Sequence, residues 1–296
     1  MKSKKRGYKE VGVFLLKLLI FTIIYFIAGK FGLSLAFEHV SASPVWPPTG
    51  IAIAMILLYG YRFWPVIFIG AFFVNLTTAG TIITSLGIAT GNTIEGLFAA
   101  FLINKYLGGK KVFDKPVKIF LFLIVVILSG IISATIGVST LSLGDFANWS
   151  NYIIIWLTWW IGDVIGALVF TPLIILLHKP IKISKIKIFE VILIMLSIVI
   201  IGILVFTPLS PFAIHNFPLP FLCVLPILWA SIRLGQKGAI LSILIISAIA
   251  IYGTLNGYGP FVMISLSLNG SLLTLQTYLG FMSLMALFVS SALENK

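Results

Sequence analysis

Two carboxylates sit in the interior of apolar runs, and this limits the available folds more than any other feature of the sequence. Glu95 lies within an apolar run from about 81 to 104, in the stretch GIATGNTIEGLFAA (Gly87 to Ala100), and Asp163 lies near the middle of the run from 152 to 177. Both runs are long enough to cross a bilayer, which takes about 17–25 residues. A carboxylate at the centre of a membrane helix costs about 2.5–3.5 kcal/mol even on the lenient insertion scale. Each of these helices is therefore expected at the centre of a bundle with its polar spot turned inward. On a helix Gly87, Gly91 and Glu95 share one face, and Asn92 lies one turn before Glu95. The two glycines let a neighbouring helix come close enough to cover the carboxylate.

The rest of the chain supports an all-α integral membrane protein. Apolar runs recur at 11–37, 47–60, 63–79, 81–104, 117–140, 152–177, 189–207, 218–232, 238–255 and 271–293. Only 9% of the 296 residues are charged, against about 25% in a soluble domain. The expectation is a polytopic bundle of about ten transmembrane helices, with eight as the alternative. The second and eighth runs are short and begin near prolines (Pro47, Pro48; Pro218, Pro220), which marks them as broken, tilted or re-entrant.

Charge sets the orientation. With ten crossings and the N-terminus inside, 18 of the 20 Lys and Arg fall on the cytoplasmic side, as the positive-inside rule requires. The other two, Lys17 and Lys30, lie in the first run, where lysine can snorkel to an interface. The domain reading is a basic cytoplasmic tail at 1–10, one transmembrane sensor-like domain at 11–293 and a cytoplasmic stub at 294–296, in the plasma membrane with both termini inside. The net charge of +12 is thus a topology signal, with the lipid bilayer and its anionic headgroups as partner and not nucleic acid. Arg62 and Arg233 fall at the cytoplasmic edge, where lipid phosphate is the expected contact.

Three of the acidic residues can lie at depth or near an inner vestibule: Glu38, Glu95 and Asp163. Trp156, Trp159, Trp160 and Asp163 follow i, i+3, i+4, i+7 spacing, so three indoles and a carboxylate share one helix face. Indole faces attract cations, which makes this a candidate cation site. The plainer reading makes the tryptophans interfacial anchors and the aspartate a hydrogen-bonding acceptor. Glu95 with Asn92 has its own plain reading, a protonated acid bonded to an amide that fixes helix register. No Lys or Arg is expected at the same depth, so each carboxylate must be protonated or neutralised by a bound cation. A third feature is SPVWPPTG (Ser43 to Gly50), whose three prolines forbid a regular helix. Its Trp46, Pro48 and Thr49 are candidate lining residues, with Thr49 also a candidate helix cap. Asn75 is an intramembrane amide whose expected partners are Asn92 or Glu95.

Nothing in the sequence points to an enzyme or a cofactor. The single Cys223 excludes a disulfide framework and a thiolate metal cluster. His39, His178 and His215 lack metal-ligand spacing, and no nucleophile motif or phosphate-binding loop occurs. The candidate site is therefore ligand-binding, comprising Trp46, Pro48, Thr49, Asn75, Asn92, Glu95, Trp159, Trp160 and Asp163, with no catalytic residue and no metal.

Several stretches, in order, resemble the MASE family, type one, the membrane-associated sensor domain of bacterial signalling proteins. They are Val45-Trp-Pro-Pro-Thr-Gly-Ile51, Arg62-Phe-Trp-Pro65 through Gly70-Ala71 to Asn75, Gly91-Asn-Thr-Ile-Glu95, Trp156-Leu-Thr-Trp-Trp-Ile-Gly-Asp163 with Gly166 and Pro172, Trp229-Ala-Ser-Ile-Arg233 with Gly235, and Gly259-Pro-Phe261. The resemblance implies a multi-helix sensory module placed before a cytoplasmic kinase, cyclase or phosphodiesterase domain, with about eight helices. No output domain follows Lys296 in this sequence, so a signal is expected to leave through a separate cytoplasmic signalling protein or through a homo-oligomer.

Two functions suit these features. The first is a sensor or receptor that binds a small ligand, cationic or proton-linked, in the intramembrane polar pocket. The second is a transporter, or its membrane-embedded binding component, with the carboxylates as coupling sites beside proline-broken helices. A membrane scaffold whose polar groups serve only as packing glue is the third alternative.

Overall fold

A computed structural model describes residues 2–36, 39–178, 185–209, 219–264 and 268–294. Glu38, Lys179, Lys182, His215, Pro218, Asn295 and Lys296, together with most of the 208–217 loop, fall outside the described residues. The described chain is helical, with no strand beyond one isolated bridge between His39 and Ala42.

Each of the ten apolar runs forms a helix. Seven helical segments are long and apolar enough to cross a membrane: Glu10–Leu33, Ile82–Leu107, Pro116–Leu143, Trp149–Leu177, Ile188–Phe206, Gly235–Leu255 and Leu268–Glu294. Three are shorter, at Pro47–Tyr59, Tyr61–Leu76 and Leu219–Arg233. The third run joins the short ones because its helix stops at Leu76 and the chain turns through Thr77 to Gly80, with the Asn75 carbonyl accepting from the Thr78 and Gly80 amides.

The helices are α1 (Lys2–Leu33), α2 (Pro47–Tyr59), α3 (Trp64–Leu76), α4 (Ile82–Leu102), α5 (Pro116–Leu143), α6 (Tyr152–Leu177), α7 (Lys185–Phe206), α8 (Val224–Arg233), α9 (Gly235–Leu255), α10 (Pro260–Ile264) and α11 (Leu268–Glu294). Helix α1 starts at Lys2, so the basic N-terminal segment continues into the first span without a break. Prolines open α2, α3 and α5, where the missing N–H costs nothing. Thr81 and Thr84 form a reciprocal cap at the start of α4.

The centre of the bundle is the crossing of α2 and α6. Thirteen residues give α2 a length of about 20 Å, too short to span alone, and ten of them are buried. Helix α2 is wrapped by other helices and has little contact with lipid. Glycines permit the approach. A Cβ at Gly162 would meet the Ser43 carbonyl, one at Gly166 the Trp46 carbonyl, and one at Gly50 the Gly166 carbonyl. Helix α5 meets α4 through the expected glycine face: Gly87 faces Thr140, and Gly91 faces Ile136 and the Ser133 carbonyl.

Helix α11 closes the bundle against α6 at a defect in the backbone ladder. Pro172 lies inside α6 and has no N–H to give the Leu168 carbonyl four residues earlier. The Ser283 hydroxyl of α11 supplies that hydrogen bond instead, at 3.0 Å. In lipid such a carbonyl must be satisfied from within the protein, so the proline ties α11 to α6.

Candidate functional site

The buried polar groups of α2, α4, α5 and α6 converge on one place. Thr49, in the first turn of α2, directs its hydroxyl at both acids: Oγ1 lies 2.9 Å from Asp163 Oδ1 on α6 and 3.4 Å from Glu95 Oε2 on α4. Helix α5 supplies Ser133, which donates to Asn92 Oδ1 at 2.8 Å and accepts from the Trp159 indole at 3.1 Å. Glu95 and Asp163 are 1% and 0% exposed. Among the described residues no ion pair reaches either acid, and Glu95 Oε1, Asp163 Oδ2 and the Asn92 amide nitrogen are buried without a hydrogen-bond partner.

The proline-rich segment frames one side of this cluster. Ser43 Oγ lies 2.6 and 2.7 Å from the Gly32 and Val45 carbonyls and donates its one proton between them. The Trp46 amide donates to the Gly162 carbonyl at 3.1 Å, and the Thr171 hydroxyl donates to the Gly50 carbonyl at 3.3 Å. From α11, Gln276 Nε2 donates to the Pro44 carbonyl. The carbonyls around the prolines are thus held by side chains from two other helices, α6 and α11, and by Ser43 of the segment itself. A cavity of about 10 Å³ lies alongside, lined by Ser41, Ser43, Trp46, Asn75 and Trp159. That is room for about one water molecule.

Of the nine candidate residues, Thr49, Asn92, Glu95, Trp159 and Asp163 form the hydrogen-bonded cluster, and Trp46 lines the adjoining cavity. Pro48 is buried in the first turn of α2. Asn75 also lines the cavity, but it does not bond to Asn92 or Glu95. Its amide donates to the Ala71 carbonyl of its own helix at 2.9 Å, because a local acceptor one turn back satisfies it. The three indoles separate despite their shared face. Trp156 and Trp160 stack on each other at 5.5 Å and bond to Thr135 and the Ile127 carbonyl of α5, while Trp159 alone joins the Ser133 relay. Arg233 engages Glu190 of α7 through two hydrogen bonds, so a protein carboxylate takes the place expected for lipid phosphate. Arg62 lies over the Phe14 and Phe63 rings.

Four participants lay outside the candidate set: Tyr25, Ser43, Ser133 and Gln276. Tyr25 of α1 is 1% exposed, its hydroxyl beside the Trp46 indole and within electrostatic reach of both carboxylates. Its ring packs against Gly70, where a Cβ would collide with it. Gln276 carried a signal, as an amide within an apolar run. A lone serine or tyrosine in such a run carries none.

The fold and the site define a polytopic helical membrane domain built around a buried pair of carboxylates. The MASE1 family model matches residues 16–296, and the chain belongs to this family of membrane-associated sensor domains. It is a multi-pass membrane sensory module. No curated protein and no solved structure matches it.

Proposed function

We propose that the Glu95–Asp163 pair is the sensing site, that its ligand is a proton or a small monovalent cation, and that α11 carries the signal to a cytoplasmic signalling partner. The observation that carries this reading is the Thr49 hydroxyl, within hydrogen-bond reach of both acids. A hydroxyl has one proton to donate, so it serves one carboxylate at a time. Two ionised carboxylates this close, in a medium that excludes water, would be costly. A shared proton or a bound cation removes the cost. The adjoining cavity, with room for about one water molecule, suits such a ligand and would not admit a metabolite.

The output path follows from the same contacts. A ligand shifts an equilibrium only through its different affinity for two states. Changing the charge on the pair changes which acid Thr49 serves, and hence the seating of α2 and the proline segment on α6. Helix α11 contacts both, through Gln276 on the Pro44 carbonyl and Ser283 on the Leu168 carbonyl. Its far end is bonded to α9, where the Gln236 amide donates to Glu294 at 3.1 Å. With both termini in the cytoplasm, as the charge distribution implies, this end faces the partner, and the host bilayer is the plasma membrane.

The test is thermal unfolding of the purified protein across pH and with Li⁺, Na⁺, K⁺ or choline as the cation. A ligand of the native state at 100 times its Kd adds about 2.7 kcal/mol. The expected result is a melting temperature that depends on pH or on one cation in the wild type, and a flat response in folded E95Q and D163N variants. A wild-type response that survives both substitutions would refute the site. Unfolding of both variants in every condition would assign the acids to packing. Carriers use short helices beside a midplane polar site as well, and α2, which carries Thr49, is such a helix here. Cation flux in proteoliposomes, abolished by E95Q, would favour that second reading.

A further inference from the structure

Buried polar groups are not spread evenly about the carboxylate pair. One end of the bundle gathers the turn at 77–80, the loop at 144–147 and the segment at 39–42. There Lys30 of α1 donates to the Thr77 carbonyl and the Thr78 hydroxyl at 3.0 and 2.9 Å, and His39 Nε2 lies 2.9 Å from the Phe146 carbonyl. This is the outer end in the orientation that the charge distribution implies. Between it and the acids the core is polar. Ser85, Asn92 and Glu95 share one face of α4, and the rise from Ser85 to Glu95 is about 15 Å. The small cavity lined by Asn75 and Trp159 adjoins this face. On its outer side a Cβ at Gly80 would meet both Ser85 Oγ and the Asn75 carbonyl. On its inner side Trp159 leads through Ser133 to Asn92.

Among the described residues, the buried side-chain atoms of α2, α4, α5 and α6 without a hydrogen-bond partner are Ser85 Oγ, Asn92 Nδ2, Glu95 Oε1, Ser142 Oγ and Asp163 Oδ2. All lie at the depth of the acids or outward of it. Toward the cytoplasmic end the same helices are closed. Helix α2 buries Ala52, Ile53, Ala54, Met55 and Ile56 below Thr49, and further on Phe113 and Phe122 meet edge to face at 5.2 Å. Buried hydroxyls on this side, those of Ser129, Thr171 and Ser283, donate to backbone carbonyls. A buried water takes about two to four polar partners. The outer half offers them along a continuous line, and the inner half presents hydrocarbon.

We infer that the pair exchanges its proton or cation with the extracytoplasmic side alone, along a file of water and polar side chains running from the turn at 77–80 past Asn75, Ser85 and Asn92, while the apolar half of α2 seals it from the cytoplasm. The inference rests on the reading of the pair as the ligand site and gives that site a direction. Intramembrane ionisable groups face water-filled cavities, and an ion entering the apolar half would meet the full cost of desolvation. The same asymmetry weighs against a carrier, whose site must open to each side in turn.

The test is the reaction of engineered thiols with Ag⁺, a monovalent cation that binds cysteine, in chloride-free buffer. S85C and I53C are introduced one at a time into a C223A chain, which removes the native thiol. Both positions are 0% exposed, and they lie on opposite sides of the pair, Ile53 being one turn past Thr49 on α2. Sealed right-side-out and everted membrane vesicles are treated in parallel, and the surviving thiols are counted by alkylation after unfolding and by mass spectrometry. S85C should react at least about tenfold faster in right-side-out vesicles than in everted ones, and at least about tenfold faster than I53C reacts from either side, because a charge is excluded from an apolar interior. S41C, in the wall of the cavity, and A99C, one turn past Glu95 on α4 and 0% exposed, repeat the comparison if either first variant fails to fold. The inference is overturned if the outer thiols react faster from the cytoplasmic side or not at all, or if the inner thiols react as fast as the outer ones. Labelling reports access whether or not the pair binds a ligand, so a wild-type melting temperature indifferent to pH and cations would strike the sensing reading and not the route.

Discussion

Replacing Thr49 by valine keeps the shape of the side chain and removes a hydroxyl that lies within hydrogen-bond reach of both acids. In the native site that hydroxyl is 2.9 Å from Asp163 Oδ1, and Asp163 Oδ2 is already without a partner. The substitution therefore strips the carboxyl group of its Thr49 bond in a place that is 0% exposed, where water cannot substitute. Leaving a buried acceptor unsatisfied costs about 1–3 kcal/mol, while the net worth of an ordinary bond is about 1 kcal/mol. The 3.4 Å approach to Glu95 is too long to add much. T49V should therefore lose about 1–3 kcal/mol in equilibrium unfolding in mixed micelles, and T49S, which keeps the donor, should lose much less. The pairwise origin is checked in a double-mutant cycle with D163N, where a coupling of about 0.5–3 kcal/mol is expected for groups in one network. T49V as stable as T49S, or a coupling of zero, would refute the claim that this hydroxyl holds the acid.

S283A should cost about 1–3 kcal/mol, because it leaves the Leu168 carbonyl freed by Pro172 without a donor. S283T should restore most of the loss in the same unfolding assay. G166A should be among the most damaging small changes, since its Cβ would fall on the Trp46 carbonyl and backbone cannot yield as a side chain can. A loss at the upper end of about 1–3 kcal/mol or beyond is expected, seen as poor recovery of folded protein. G130A, whose Cβ would press on the edge of the Trp160 ring and touch the Asp163 Cβ at ordinary contact distance, should be milder.

The helices were legible because hydrophobicity in lipid is a nearly local property: ten apolar runs became ten helical segments. The third run misled in length, since Asn75 and the turn after Leu76 end its helix before an apolar window would end it. Glu95 and Asp163 stood out because each is an ionisable group in an apolar stretch, and the glycines beside them marked close helix contacts. Their meeting at Thr49 joins positions 46 and 114 residues apart, and no periodicity encodes such a distance. The tryptophan face showed the limit of spacing arguments. Trp156, Trp159 and Trp160 do share a side of α6, yet each indole nitrogen bonds a different residue of α5. Ser133 was hidden among the other small residues of α5, and Tyr25 looked like any aromatic in a first span. Pro172 was visible, but the serine that answers its missing hydrogen bond lies 111 positions later, on α11.

The most direct test of the sensing site is infrared difference spectroscopy of the protein in nanodiscs, between two pH values and between solutions with and without Na⁺. The expected result is a carboxylic-acid carbonyl band that changes with one of these variables and disappears in both E95Q and D163N. A spectrum in which no carboxyl band responds, or one whose response survives either substitution, would contradict it.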